Sequence, residues 1–165
     1  MNIKNIMPPL VSGFGAAVIT TIPGMSAFGC CLLAPFAGGI AVLLHHKLNK
    51  VPKPISGKTS SLMGLSTGFF IAFFAVIFET AITLIFKSND FVQALPQMES
   101  MIKEFGNAPI FNAAMEVYKE MAKEIKTSGF SAIYTFSMYF SYSIMYGIFG
   151  LLGGLGGMIF VNKRA

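Results

Sequence analysis

The sequence predicts an all-α integral membrane protein: a bundle of four spanning helices, with an amphipathic helical pair outside the bilayer between the third and fourth. Three observations carry this. Apolar residues make up 54% of the 165 residues and charged ones only 12%, with a mean hydropathy of +0.67. Ordinary soluble domains carry roughly 25% charged residues, so a water-covered surface is hard to build from this composition. The apolar residues fall into uncharged or nearly uncharged stretches of membrane length, about 20 residues for a hydrocarbon core roughly 30 Å thick. Finally, lysines flank those stretches asymmetrically. The same composition excludes a disordered chain and points away from a soluble enzyme.

The first span is read over residues 6–22, with Pro8 and Pro9 at its start, where a missing amide donor costs least. Its basic start and apolar run fit an uncleaved signal anchor. Pro23-Gly24-Met25-Ser26 forms an uncharged turn. The second span covers residues 27–44, the third 62–86 with the single charge Glu79, and the fourth 130–161 with no charge. The fourth exceeds the membrane's need and is expected to tilt or project.

Seven of the twelve basic residues, Lys4, Lys47, Lys50, Lys53, Lys58, Lys163 and Arg164, flank spans on one side with no acidic side chain beside them. The loop 87–128 carries five lysines and six acids. Short basic loops stay in the cytoplasm, so both termini are expected inside and residues 87–128 outside. The net charge of +5 is this asymmetry and not a nucleic-acid footprint.

Small residues recur four apart in every span: Gly13 with Ala17, Ala34 with Gly38, Gly64 with Gly68, Gly150 with Gly154, and Gly153 with Gly157. Lipid tails are as apolar as leucine, so membrane helices associate by close packing, and such faces let backbones approach. Together with Gly39 these are the expected packing residues, serving either this bundle or, over residues 147–157, a second subunit or a pigment- or lipid-carrying partner. Spans two and four also share a Gly-Gly pair, an apolar run and a basic stop, a weak parallel repeat.

The Gly-rich first span, Ile22-Pro23, Cys30-Cys31-Leu32, Gly38-Gly39, the basic loop and Gly64-x-x-x-Gly68 resemble an uncharacterised group of small bacterial membrane proteins with four predicted spans. The resemblance covers residues 10–70 and brings no activity with it. It implies a bacterial cytoplasmic membrane and a four-span topology. Where the group often has an aromatic after the Cys pair, this chain has Leu32-Leu33.

Glu79 is the one ionisable residue inside a span, and a carboxylate there is costly unless protonated, paired or wetted. With the third span centred near Phe74, it lies about 7 Å toward the outside. Its alternatives are a hydrogen bond to the fourth span, an outer polar cavity or inter-subunit contact, and proton or cation handling. The fourth span offers partners: Tyr134, Ser137 and Ser141 at i, i+3, i+7, and Tyr139, Tyr142 and Tyr146 on a second face. His45 and His46 end the second span at the cytoplasmic interface. Cys30 and Cys31 read as small packing residues, with acylation or redox sensing as the alternative. No metal cluster, nucleophile with its base, phosphate loop or cofactor box is visible, so a non-enzymatic role is expected, with no cofactor.

The outer segment carries two helical patterns. Ser88-Asn89-Asp90 provides a cap, and Phe91, Leu95, Met98, Ile102 and Phe105 follow at helical spacing, with Pro96 arguing for a kink or a later start. Gly106-Asn107-Ala108-Pro109 breaks the run. Phe111, Ala114, Tyr118, Met121 and Ile125 then form a second stripe, with Glu116–Lys119 and Glu120–Lys123 as expected ion pairs. The stripe either packs within the pair, lies on the membrane, or docks a partner. The whole therefore reads as a single membrane domain. It is a scaffold or accessory subunit in a homo-oligomer or larger complex, or alternatively a small channel or transporter using Glu79.

Overall fold

A computed structural model describes residues 3–22, 28–104 and 109–163, with side chains omitted at 3, 4, 30, 103 and 104. All described elements are helical: α1 (Ile3–Thr20), a single π-helical turn (Gly29–Leu33), α2 (Ala34–Asn49), α3 (Gly57–Phe86), α4 (Asp90–Glu104), α5 (Pro109–Ser128) and α6 (Ala132–Lys163). The helix over Cys31–Asn49, α3 and α6 are each long and apolar enough to cross a membrane, while α1 offers a shorter apolar helix, Asn5–Thr20. No more than 33% of the apolar window in any of the three is buried inside the molecule. Large side chains such as Phe36, Phe73 and Phe140 are exposed on them. An exterior this apolar suits lipid rather than water.

The chain divides into two compact units, one from residues 1–78 and 138–165, the other from 79–137. In the first unit α1 packs on α2. It also meets α3 through Phe14, whose ring lies 5.1 Å from that of Phe74, edge to face. Helix ends gather at one end of this unit. Asn49 donates to Asn5 Oδ1 at 3.4 Å, joining the end of α2 to the start of α1. Asn162 near the end of α6 clamps Ile55, accepting from its N–H at 3.0 Å and donating to its carbonyl at 3.2 Å. The described basic residues flanking the long helices, Lys47, Lys50, Lys53, Lys58 and Lys163, therefore share that end.

Several boundaries differ from the sequence reading, for a common reason: a helix is held by backbone hydrogen bonds and outlasts its apolar stretch. Helix α1 begins at Ile3, so Pro8 and Pro9 lie inside it. There they remove two bonds to the carbonyls of residues 4 and 5. Both prolines are fully buried. Ser12 Oγ donates to the Pro8 carbonyl at 2.8 Å. Helix α2 continues through both histidines to Asn49 and ends on Lys50 in the left-handed conformation, whose N–H reaches the His46 carbonyl. Helix α3 begins five residues before the predicted start. Pro96 lies within α4, which runs through it. The predicted turn at 23–26, Phe105 and the break at 106–108 lie outside the described residues.

In the second unit, Asn89 caps α4 by accepting from the Val92 N–H at 3.0 Å. Val92, Ala122 and Ile125 form a core with Phe91, Leu95 and Tyr134 against it. The Phe91 ring sits between those of Tyr118 (5.9 Å) and Tyr134 (5.1 Å). Helix α5 closes on Gly129, whose φ of +79° no L side chain adopts cheaply and whose N–H reaches the Ile125 carbonyl at 2.8 Å.

Candidate functional site

The glycines of the long helices meet one another. A Cβ at Gly38 or at Gly64 would run into the carbonyl oxygen of Gly150, so a single glycine of α6 receives close approaches from both α2 and α3. Around it, a Cβ at Gly68 would meet the Tyr146 carbonyl, one at Gly153 the Pro35 backbone, and one at Gly154 the Ser60 carbonyl. Gly157 sits against Gly39, with 2.8 Å between its would-be Cβ and the Gly39 Cα. On α1, a Cβ at Gly13 would stand 2.7 Å from the Phe70 Cβ of α3 and 3.1 Å from the Thr67 carbonyl oxygen. Backbones this close gain dispersion contact along their length and leave no space for side chains between them. All nine predicted packing glycines thus lie against helices of this chain, while Ile148, Leu152 and Gly156 of the segment 147–157 stay exposed. Gly156 is different. No neighbour lies within 4 Å of the place its Cβ would occupy. It belongs to an outward groove of about 420 Å³ with Cys31, Phe36, Ile40 and Phe160 along it.

The predicted polar residues do not form one cluster. Glu79, Tyr134 and Ser137 belong to the second unit, Ser141 and Tyr142 to the first. Glu79 is partly buried, while Ser137 and Ser141 are exposed. Tyr134 lines a small cavity with Thr80, Thr83, Ser131 and Thr135. The hydroxyls of Thr80 and Thr83 are buried with no hydrogen-bond partner among the described residues. Tyr142 stacks edge to face on Tyr146, with ring centres 5.3 Å apart. Tyr146 is buried, its hydroxyl 3.1 Å from where a Cβ on Gly29 of the π turn would stand. Among the described residues, no group of three or more His, Cys, Asp or Glu is placed to hold a metal ion.

The outer stripe divides along its length. Met121 and Ile125 are buried within the second unit, Ile125 completely, and Ala114 and Tyr118 are partly covered. Phe111 remains exposed, beside Ile110 and with Val117 further along α5. The exposed part of the stripe thus lies at the start of α5, with Met115 buried after it, and the second half supplies the core of the α4–α5 pair. Lys119 pairs with Glu99 of α4 and not with Glu116, since the neighbouring helix offers a carboxylate across the gap. Lys123 keeps Glu120 at 3.7 Å.

Sequence reasoning missed the buried hydroxyls of Ser60 and Thr67. It also missed the Ile55–Asn162 clamp, whose partners stand far apart in the chain. An asparagine one residue before a basic stop was the only available signal for the clamp. Comparison with known proteins gives no further lead: no family model, curated protein or solved structure matches the chain. What fold and site define is a class, an all-helical protein with three helices able to span a membrane and a separate helical unit between the second and third of them.

Proposed function

We propose that the chain is a non-enzymatic accessory or scaffold subunit of a membrane assembly, rigid within the bilayer and presenting α4 and α5 to a partner. In this reading α1 is a fourth crossing, both termini lie in the cytoplasm of a bacterial cell, and α4–α5 lies outside. The observation that supports it most is the backbone contact at Gly150. A core packed without side chains between helices has no room for a substrate path along that seam. The first half of α5 meanwhile leaves Ile110, Phe111 and Val117 exposed, with Glu116 the one charge in that half.

Crosslinking in native membranes, followed by purification, tests the proposal. A defined heteromeric complex is expected, lost when Phe111 and Val117 are both changed to Ser while the protein still inserts. Recovery as a lone chain under mild extraction would overturn it. Topology has its own test: with the native cysteines removed, Lys53→Cys and Lys123→Cys are expected to label from opposite sides. A second reading, a small channel or transporter, draws on the partly buried Glu79 and on the buried hydroxyls of Thr80 and Thr83 in the turn after it, unpartnered among the described residues. Flux in liposomes that Glu79→Gln abolishes without disturbing assembly would favour it.

A further inference from the structure

The first unit contains a cavity of about 750 Å³ between the start of α1, the end of α2 and the start of α3. This is the size of a small-molecule site. Its lining changes character along its length. At the end shared by the lysines stand Asn5, His45, Asn49, Lys58 and Thr59. Farther along α3 stand Leu62, Met63, Phe69 and Phe70, with Ser66 the one polar residue among them. From Lys58 to Phe70 the helix rises about 18 Å, close to half the thickness of a hydrocarbon core. No carboxylate is among the lining residues.

The polar end is organised to donate. Asn49 Nδ2 lies 2.9 Å from His45 Nδ1. With Nδ1 accepting from the amide, the neutral imidazole carries its proton on Nε2 and has a donor to offer. His45 is 95% buried, so that ring is held and not free to seek another arrangement. Lys58 adds a cation in the first turn of α3, where backbone N–H groups also favour negative charge. Ser56 Oγ already accepts from the Thr59 N–H at 3.2 Å, which fixes that turn.

We propose that this cavity binds one anionic phospholipid, its phosphate held by Lys58 and by the His45 ring that Asn49 orients, and one acyl chain lying along Leu62, Phe69 and Phe70. A polar, cationic mouth followed by an apolar trench of half-membrane length complements an amphiphile of that kind and no purely polar or purely apolar ligand. The proposal rests on the membrane placement of the long helices and not on the accessory role.

The test is native mass spectrometry of the full chain in mild detergent. The probes are phosphatidylglycerol, phosphatidylcholine with the same acyl chains, and inorganic phosphate. The expected result is one retained phosphatidylglycerol per chain in preference to phosphatidylcholine. Lys58→Gln should weaken that binding about five-fold, the effect of one lysine near an anionic headgroup. Lys47→Gln, at the same end but outside the cavity, should leave it unchanged. Ser66→Phe should fill the trench and remove binding of both lipids. Equal retention of the two lipids, or equal losses for Lys58→Gln and Lys47→Gln, would overturn the proposal. So would displacement of phosphatidylglycerol by millimolar phosphate that still binds Ser66→Phe, since the site would then be one for a soluble anion. Both lysines are exposed, so that comparison stands if Ser66→Phe fails to fold.

Discussion

Gly150 and Gly156 lie on the same helix, six residues apart, and a methyl group at each is expected to act in opposite directions. A Cβ at Gly150 would stand 2.5 Å from the Gly64 carbonyl oxygen and 3.1 Å from the Gly68 nitrogen. Both neighbours are backbone and cannot rotate away, so α6 and α3 must separate by about 1 Å. A gap of 0.5–1 Å forfeits roughly a quarter to a half of each dispersion contact it opens. Gly38 approaches the same residue from α2, so the loss spreads along two helix pairs. Overpacking of this sort costs about 1–3 kcal/mol, and Gly150→Ala is expected at the upper end of that range. At Gly156 the methyl meets nothing, and only the better helix propensity of alanine remains, a gain of up to about 1 kcal/mol. Both variants can be followed by reversible unfolding in mild detergent titrated with dodecyl sulfate, using helical circular dichroism. Equal shifts for the two, or a stabilised Gly150→Ala, would refute the claim that backbone contact at this glycine holds the helices together.

Three further outcomes follow from single contacts. Asn162→Ala removes both bonds to Ile55 and strands two partly buried backbone groups, so it should cost about 1–3 kcal/mol in the same titration and hasten proteolysis in residues 50–57. Asn162→Asp keeps the acceptor alone and should fall between. Asn89→Ala removes the cap of α4 and should cost about 0.5–2 kcal/mol, seen by hydrogen exchange as faster opening of Val92 and Gln93 with α2 unaffected. Ile125→Ala empties the centre of the α4–α5 core and should cost about 2–5 kcal/mol, whereas Phe111→Ser should leave stability nearly unchanged. Comparable losses for those two would show that the first half of α5 is packed as tightly as the second.

The long helices were legible because membrane length and apolar content are properties of one continuous segment. Their ends were not, since α2 gains its last turns through His45, His46 and Lys47, polar residues beyond the apolar stretch that ends at Leu44. The i, i+4 spacing of Gly64 with Gly68 and of Gly150 with Gly154 disclosed that a flat face existed. It held no information on what would lie there, and the convergence of Gly38 and Gly64 on one residue of α6 required three helices to be placed at once. The same limit separates the ion pairs. Glu120–Lys123 follows from the pitch of α5 alone, while Lys119–Glu99 depends on how α4 lies beside it. The cavity at the lysine end combines residues from three helices, and nothing within one segment could bring His45 and Lys58, each noted separately, to the same place.

The glycine junction has a mechanical consequence. Helices α2, α3 and α6 are keyed together backbone to backbone, so none can slide or turn without unmaking contacts along several turns, and the three behave as one stiff bar. Helix α1 packs on α2 and meets α3 through Gly13 and a patch of phenylalanine rings, with Pro8, Pro9, Ala16 and Ala17 buried along it. None of those glycines lines the 750 Å³ chamber, which is bounded by α1, α2 and α3. A ligand held there therefore need not part the glycine contacts.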